Sequence, residues 1–161
     1  TKPLLSNQDA SPENMLMNGI QICLIDPFPN IYYPRGMAGN FMNLYETFFI
    51  ALSDTERYGK HRFADCADNL KGMADGFLAG YSTDDSRVQA EVRGEQLLQL
   101  LETAYSHFHL LSGKLPVEAR IRYGDKNQIE KRLATLANEL KALAASVVER
   151  LAGAVENSDA R

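Results

Sequence analysis

The sequence predicts an all-α fold, a helical bundle of about five main helices with a Pro- and aromatic-rich loop near the N-terminus. Three observations predict it. Apolar residues recur at steps of three and four over long stretches, which places them on one helical face. Short runs of Ser, Asp, Gly and Pro punctuate those stretches where helices start and stop. With 161 residues, 45% hydrophobic and 24% charged, the chain can bury a real core as a single helical domain over residues 1–161.

Residues 1–10 are polar and aperiodic and are expected to form a loose tail, as are residues 156–161 at the other end. Ser11-Pro12-Glu13 is a helix-start signal: a capping hydroxyl, a proline suited to the first helical position, and an acid at the positive end of the dipole. Leu16, Ile20 and Cys23 then share a helical face, and Asp26-Pro27 ends this first helix. The run Ala10-Ser11-Pro12-Glu13 ahead of a helix resembles the start of flagellar export chaperones. That resemblance covers a few residues, the Pro- and Tyr-rich segment that follows departs from it, and it assigns no role to any residue.

Residues 26–37 hold Pro27, Pro29 and Pro34, which exclude regular helix. Phe28, Ile31, Tyr32 and Tyr33 are too apolar for a solvated loop, so the segment either packs across the bundle or presents aromatics to a partner. The second helix is expected from Asn40 to Leu52, with Phe41, Leu44, Phe48 and Leu52 as its stripe and Phe49 and Ile50 widening it. The third is expected from Lys60 to Tyr81, with Phe63, Cys66, Leu70, Met73, Phe77 and Tyr81 as a bundle seam. Beside that seam Gly72, Gly76 and Gly80 form a stripe. Glycine is unfavourable inside a helix, so the stripe predicts close approach of another backbone or a ligand.

The fourth helix is expected from Asp85 to Leu111, with Ala90, Leu97, Leu101, Ala104, Phe108 and Leu111 inward, stopped by Gly113 and Pro116. Residues 114–125 alternate like a strand but lack a partner, so a short helix or an extended linker is expected. The fifth helix, capped by Asp125, runs from Lys126 to Leu151 on the heptad Ile129, Leu133, Leu136, Leu140, Leu143 and Val147.

Composition narrows the function classes. A net charge of −4 argues against nucleic acid, which needs a surplus of Lys and Arg. No apolar run reaches the ~18 residues of a membrane span, and Thr1-Lys2-Pro3-Leu4-Leu5 is unlike a secretory signal. Cys23 and Cys66 sit among apolar neighbours and are expected as buried free thiols of a cytoplasmic protein.

The sequence carries none of the common catalytic or metal signatures. The chain has no inward Glu-x-x-His pair, no Cys-x-x-Cys, no His-Glu-x-x-His and no phosphate-binding loop. No catalytic residue, metal ligand or cofactor is therefore assigned, and the balance leans away from an enzyme. His61 and Asp65, four apart, are expected as a surface pair. Arg57, Tyr58, His61 and Arg62 only superficially suggest a helical ribonuclease arrangement. His107 and His109 should point apart, one to the core and one to solvent. Arg120, Arg122, Lys126, Lys131 and Arg132, interrupted by acids, read as a solvated face.

Two functional expectations remain. The first is a protein-interaction module (an adaptor, chaperone or regulatory subunit) that is a homo-oligomer, expected as a dimer, or binds another protein. Its contact residues would be Phe28, Tyr32, Tyr33 and Arg35. The second is a small-molecule sensor with an apolar pocket between helices, lined by Tyr45, Gly72, Met73, Gly76, Phe77 and Gly80.

Overall fold

Pro34 opens the helical part of the fold. Its fixed φ and missing N–H suit the first position of a helix, and α1 (Pro34–Asn43) follows directly. This computed structural model describes residues 2–7 and 9–159. From α1 the chain passes without a break through a π turn (Leu44–Phe48) into α2 (Phe49–Ala51). After a stretch of short 3-10 turns come α3 (Ala67–Ser82), α4 (Ser86–Ser112), α5 (Val117–Tyr123) and α6 (Lys126–Asp159). No helix among the described residues is long and apolar enough to cross a membrane.

The N-terminal region is not helical. It forms two antiparallel ribbons, β1 (Leu4–Asn7) with β4 (Pro29–Tyr32), and β2 (Met15–Asn18) with β3 (Gln21–Leu24). The fold is thus mainly helical with a small β arm, and four expectations are corrected. The tail over residues 1–10 contains a strand. The helix expected from Ser11 is only a 3-10 turn (Pro12–Asn14) followed by a hairpin. The loop over 26–37 is a strand and then a helix. The tail expected at 156–161 is helical as far as Asp159; residues 160–161 lie outside the described residues.

The hairpin has a local cause. In the turn Gly19-Ile20, Gly19 takes φ +60°, the left-handed first position of a II′ hairpin turn that only glycine occupies cheaply. Met15, Leu16 and Met17 on one side, and Ile22, Cys23 and Leu24 on the other, leave no polar helical face. Paired strands accommodate such runs and an amphipathic helix does not.

Two apolar clusters hold the helices together. The larger joins Ala38 and Met42 of α1, Tyr45, Phe49, Leu52, Tyr58 and Phe63 to Leu70, Ala74 and Leu78 of α3 and Val92 of α4. Within it Phe41 stacks on Tyr45 at 4.2 Å and on Phe77 at 4.3 Å, and Phe77 lies 5.5 Å from Tyr81. The smaller packs Leu100 and Ala104 of α4 on Leu136 of α6, flanked by Leu133, Leu140 and Leu143. Ile129 and Leu136 are fully buried, so the expected heptad is an internal seam, each buried leucine contributing about 1.5–3 kcal/mol. Asp125 caps α6 as expected: its Oδ1 accepts from Gln128 N while Gln128 Oε1 accepts from Asp125 N, both at 2.9 Å, a reciprocal capping box.

The inward face of α4 differs from the expected one. Ala90 and Ala104 are buried, but Leu101 and Phe108 are more than half exposed, and Val92, Gln96, Leu100 and His107 take their places. Gln96 and His107 can go inside because their hydrogen bonds are made there. Gln96 Nε2 donates to Glu46 at 2.7 Å, and Arg93 donates to Glu46 at 2.6 Å and to Gln96 Oε1 at 2.8 Å. These bonds pin the π turn to α4.

Arg132 is likewise no part of a solvated basic face. It is 5% exposed and donates to Ala51 O at 2.6 Å, Tyr123 O at 2.9 Å and Asp54 Oδ1 at 2.5 Å. Its guanidinium neutralises the carboxyl end of α2 and ties α6 to α2 and α5.

The close approach of helices falls at a different glycine from those singled out. A Cβ at Gly39 would stand 2.5 Å from Glu95 Cβ and 2.6 Å from Gln96 N, so α1 crosses α4 there almost backbone to backbone. Gly72, Gly76 and Gly80 face open space, with nothing within 4 Å of an added Cβ. The expected close packing on that stripe is corrected. Cys23 and Cys66 are both free, but both are exposed rather than buried, one on the hairpin and one just before α3.

Candidate functional site

The arm does not stand clear of the helices. Tyr45, fully buried, sends its hydroxyl to Ala10 O at 3.0 Å and Met15 Sδ at 3.2 Å, and burial pushes its phenol pKa up. On the arm side Asn7 Oδ1 accepts from Asp9 N at 3.0 Å and Phe28 N at 2.9 Å, which fastens the end of the β1–β4 ribbon. Between arm and helices this leaves a cleft of about 780 Å³. Asp9, Glu13, Asp26, Phe28 and Tyr32 reach it from the arm; Asn43 of α1 and Phe48 of the π turn reach it from the helices. From α4 come Gln99, Glu102, Thr103 and His107, and from α5 Arg122 and Tyr123.

The helical wall is held by hydrogen bonds. Asn43, 3% exposed, donates through Nδ2 to Thr103 Oγ1 at 3.2 Å, and Thr103 Oγ1 donates to Gln99 O at 2.9 Å. His107 is 1% exposed. Its Nδ1 donates to Thr103 O at 2.8 Å, which leaves Nε2 as an acceptor facing Arg132 Nη1 at 3.4 Å. Burial lowers the His107 pKa and the Arg132 charge lowers it further, outweighing the bond to Thr103. The ring is therefore neutral near pH 7. One histidine of the pair points in and the other out, as expected, since His109 is exposed.

His61 does not pair with Asp65. It closes a 3-10 turn, and the left-handed Arg62 (φ 53°) turns the chain before Asp65. Its Nε2 lies 2.7 Å from Glu13 Oε1, while Asp65 pairs with Arg62 at 2.6 Å. Arg57 also faces Glu13, at 3.9 Å, so both side chains reach across to the arm.

The residues expected at a partner surface are divided. Phe28 is 63% and Tyr33 52% exposed. Tyr32 is half-buried beneath Gly36, and Arg35 pairs with Glu91 at 3.0 Å and lies 5.3 Å from the Tyr81 ring. Of the residues expected to line an apolar pocket, Tyr45 and Phe77 belong to the aromatic core, Met73 is exposed, and the three glycines face open space. None of these six lines the cleft.

Sequence reasoning missed two other features. The uncovered apolar side chains of the arm include Leu5 at 77%, Ile20 at 101% and Ile31 at 68%. An outer stripe on α4 presents Leu98, Leu101, Tyr105 and Phe108, each more than half exposed. The three-and-four spacing of that stripe was legible; its outward direction was not. No family model, curated protein or solved structure matches the chain.

Proposed function

We propose that the protein is an interaction module that self-associates through its N-terminal arm. One observation carries this reading: beyond Met15 the β2–β3 ribbon is apolar on both faces and uncovered on both. Leu16 pairs across the ribbon with Cys23 on one face, and Met17 with Ile22 on the other. Leu16, Met17 and Ile22 are each at least 55% exposed. A two-stranded ribbon is marginal in water unless something covers it. Its edges are open too, because each described strand pairs with one neighbour only. Soluble proteins protect such edges with charges or proline, and residues 15–25 contain neither. A second copy offers the same strand and the same apolar faces, and an isologous pair satisfies both at once.

Light scattering across a wide concentration range tests this. The wild type is expected to be dimeric. The double variant Met17→Lys with Ile22→Glu keeps an opposite-charge cross-strand pair but removes the apolar face, and is expected to be monomeric with unchanged helical circular dichroism. A monomeric wild type, or a variant that still dimerises, rejects the reading.

A further inference from the structure

We propose that the outer face of α4 seats the β2–β3 ribbon of a second copy of this chain. The inference rests on self-association through the arm and names the surface that completes it. Joining two ribbons edge to edge gives their strands partners but covers neither face. The ribbon supplies four cross-strand pairs, whereas a stable interface engages roughly 20–30 residues a side. A small sheet also needs a helix or a second sheet packed on its apolar face. Met15 pairs with Leu24 and Met17 with Ile22, so these four side chains share one face, because side chains alternate along a strand. Met15 turns into its own core, with Sδ 3.2 Å from the Tyr45 hydroxyl. Met17, Ile22 and Leu24 are left 65%, 60% and 46% exposed.

The matching surface is on α4. Leu98, Leu101, Tyr105 and Phe108 step by three and four along one face, and each is more than half exposed. Among the described residues no other helix exposes more than two large apolar side chains. From Leu98 to Phe108 the stripe runs about 15 Å at the helical rise, and a four-residue strand runs about 13 Å, so the lengths agree. Residues 15–25 hold no Asp, Glu, Lys or Arg, and the stripe is two leucines, a tyrosine and a phenylalanine, so docking buries no charge. Glu102, four residues after Leu98 and three before Tyr105, lines the cleft beneath the arm. Arm and stripe therefore occupy adjoining flanks of α4 and can share one two-fold interface. Within one chain the bonds from Tyr45 to Ala10 and Met15 hold the arm over the cleft rather than the stripe, which leaves the seat to the partner's ribbon.

Light scattering of Leu101→Glu with Tyr105→Lys tests the seat. The pair forms a helix-favouring i,i+4 ion pair on exposed positions, so helical circular dichroism is expected to be unchanged. The dimer dissociation constant is expected to rise about tenfold or more, the scale of losing central interface side chains. Val148→Lys, on an equally exposed apolar position of α6, is expected to leave it unchanged. Two chains lacking Cys23 and Cys66 (both →Ser), one with Ile22→Cys and the other with Tyr105→Cys, are then mixed and mildly oxidised. A mixed disulfide dimer is expected to dominate, and this outcome decides if the charge variant fails to fold. A monomeric wild type would overturn both this inference and self-association. A dimer that the α4 variant leaves intact, equal weakening by Val148→Lys, or disulfides formed between identical chains in place of mixed ones would overturn the α4 seat alone.

Discussion

A methyl group added at Gly39 would collide with the backbone of α4, since Glu95 C and Gln96 N both lie 2.6 Å from its ideal position. Backbone cannot step aside as a side-chain tip can, so Gly39→Ala is expected to destabilise by about 1–3 kcal/mol. Gly76 is the opposite case. Its Cβ direction is empty, and Gly76→Ala should stabilise by up to ~1 kcal/mol, because alanine favours helix and restricts the unfolded chain. Urea midpoints of both variants check the pair; the same sign of change in both would contradict this account of α1 and α3. His107 gives a prediction in pH. Its pKa is lowered in the folded state from an ordinary 6.5, so on acidification the unfolded chain takes the proton first. Stability is then expected to fall as pH drops below about 6.5 towards 5, before most carboxylates titrate. In His107→Gln that slope should be shallower, whatever the variant loses in absolute stability; an equal slope would show that the imidazole titrates alike in both states.

At the scale of elements, the α4–α6 seam is where stability is concentrated. Leu136 is fully buried against Leu100 and Ala104, so Leu136→Ala is expected to lower stability by about 2–5 kcal/mol, and half-buried Leu140→Ala by less. Equal and negligible shifts in the urea midpoint would place the seam in water. This helix was legible because its heptad is long, its cap is a recognisable Asp-x-x-Gln, and both signals agree. The inward face of α4 was not, because a count of apolar residues cannot see Gln96 and His107 entering the core on satisfied hydrogen bonds. The arm was misread for a different reason. Leu16, Ile20 and Cys23 do fall at helical spacing, yet Gly19-Ile20 between two strongly apolar runs is a II′ hairpin signal and outweighs three coincident positions.

Across the whole molecule, the cleft was the least legible feature, since its walls come from segments far apart in the chain and meet only once the arm lies over α1 and α4. Phe28 and Tyr32 were singled out as aromatic and presented; their neighbours Asn43, Thr103 and Glu102 carry no local pattern that marks them. The tie between Tyr45 and Ala10 has a consequence for the hierarchy of opening motions. The helices share large apolar clusters, whereas the β2–β3 ribbon is exposed from Leu16 to Leu24 and its link to them runs through a few contacts around Tyr45, Met15 and Glu13. Lifting the arm therefore needs far less free energy than unfolding the bundle. Amide hydrogen exchange is expected to be fast over residues 15–24 in dilute protein while α4 and α6 stay protected, and to slow over the same residues as concentration rises. The ribbon amides would then report directly how much of the protein has found its partner, and uniform protection of arm and bundle at every concentration would show that the two open as one unit.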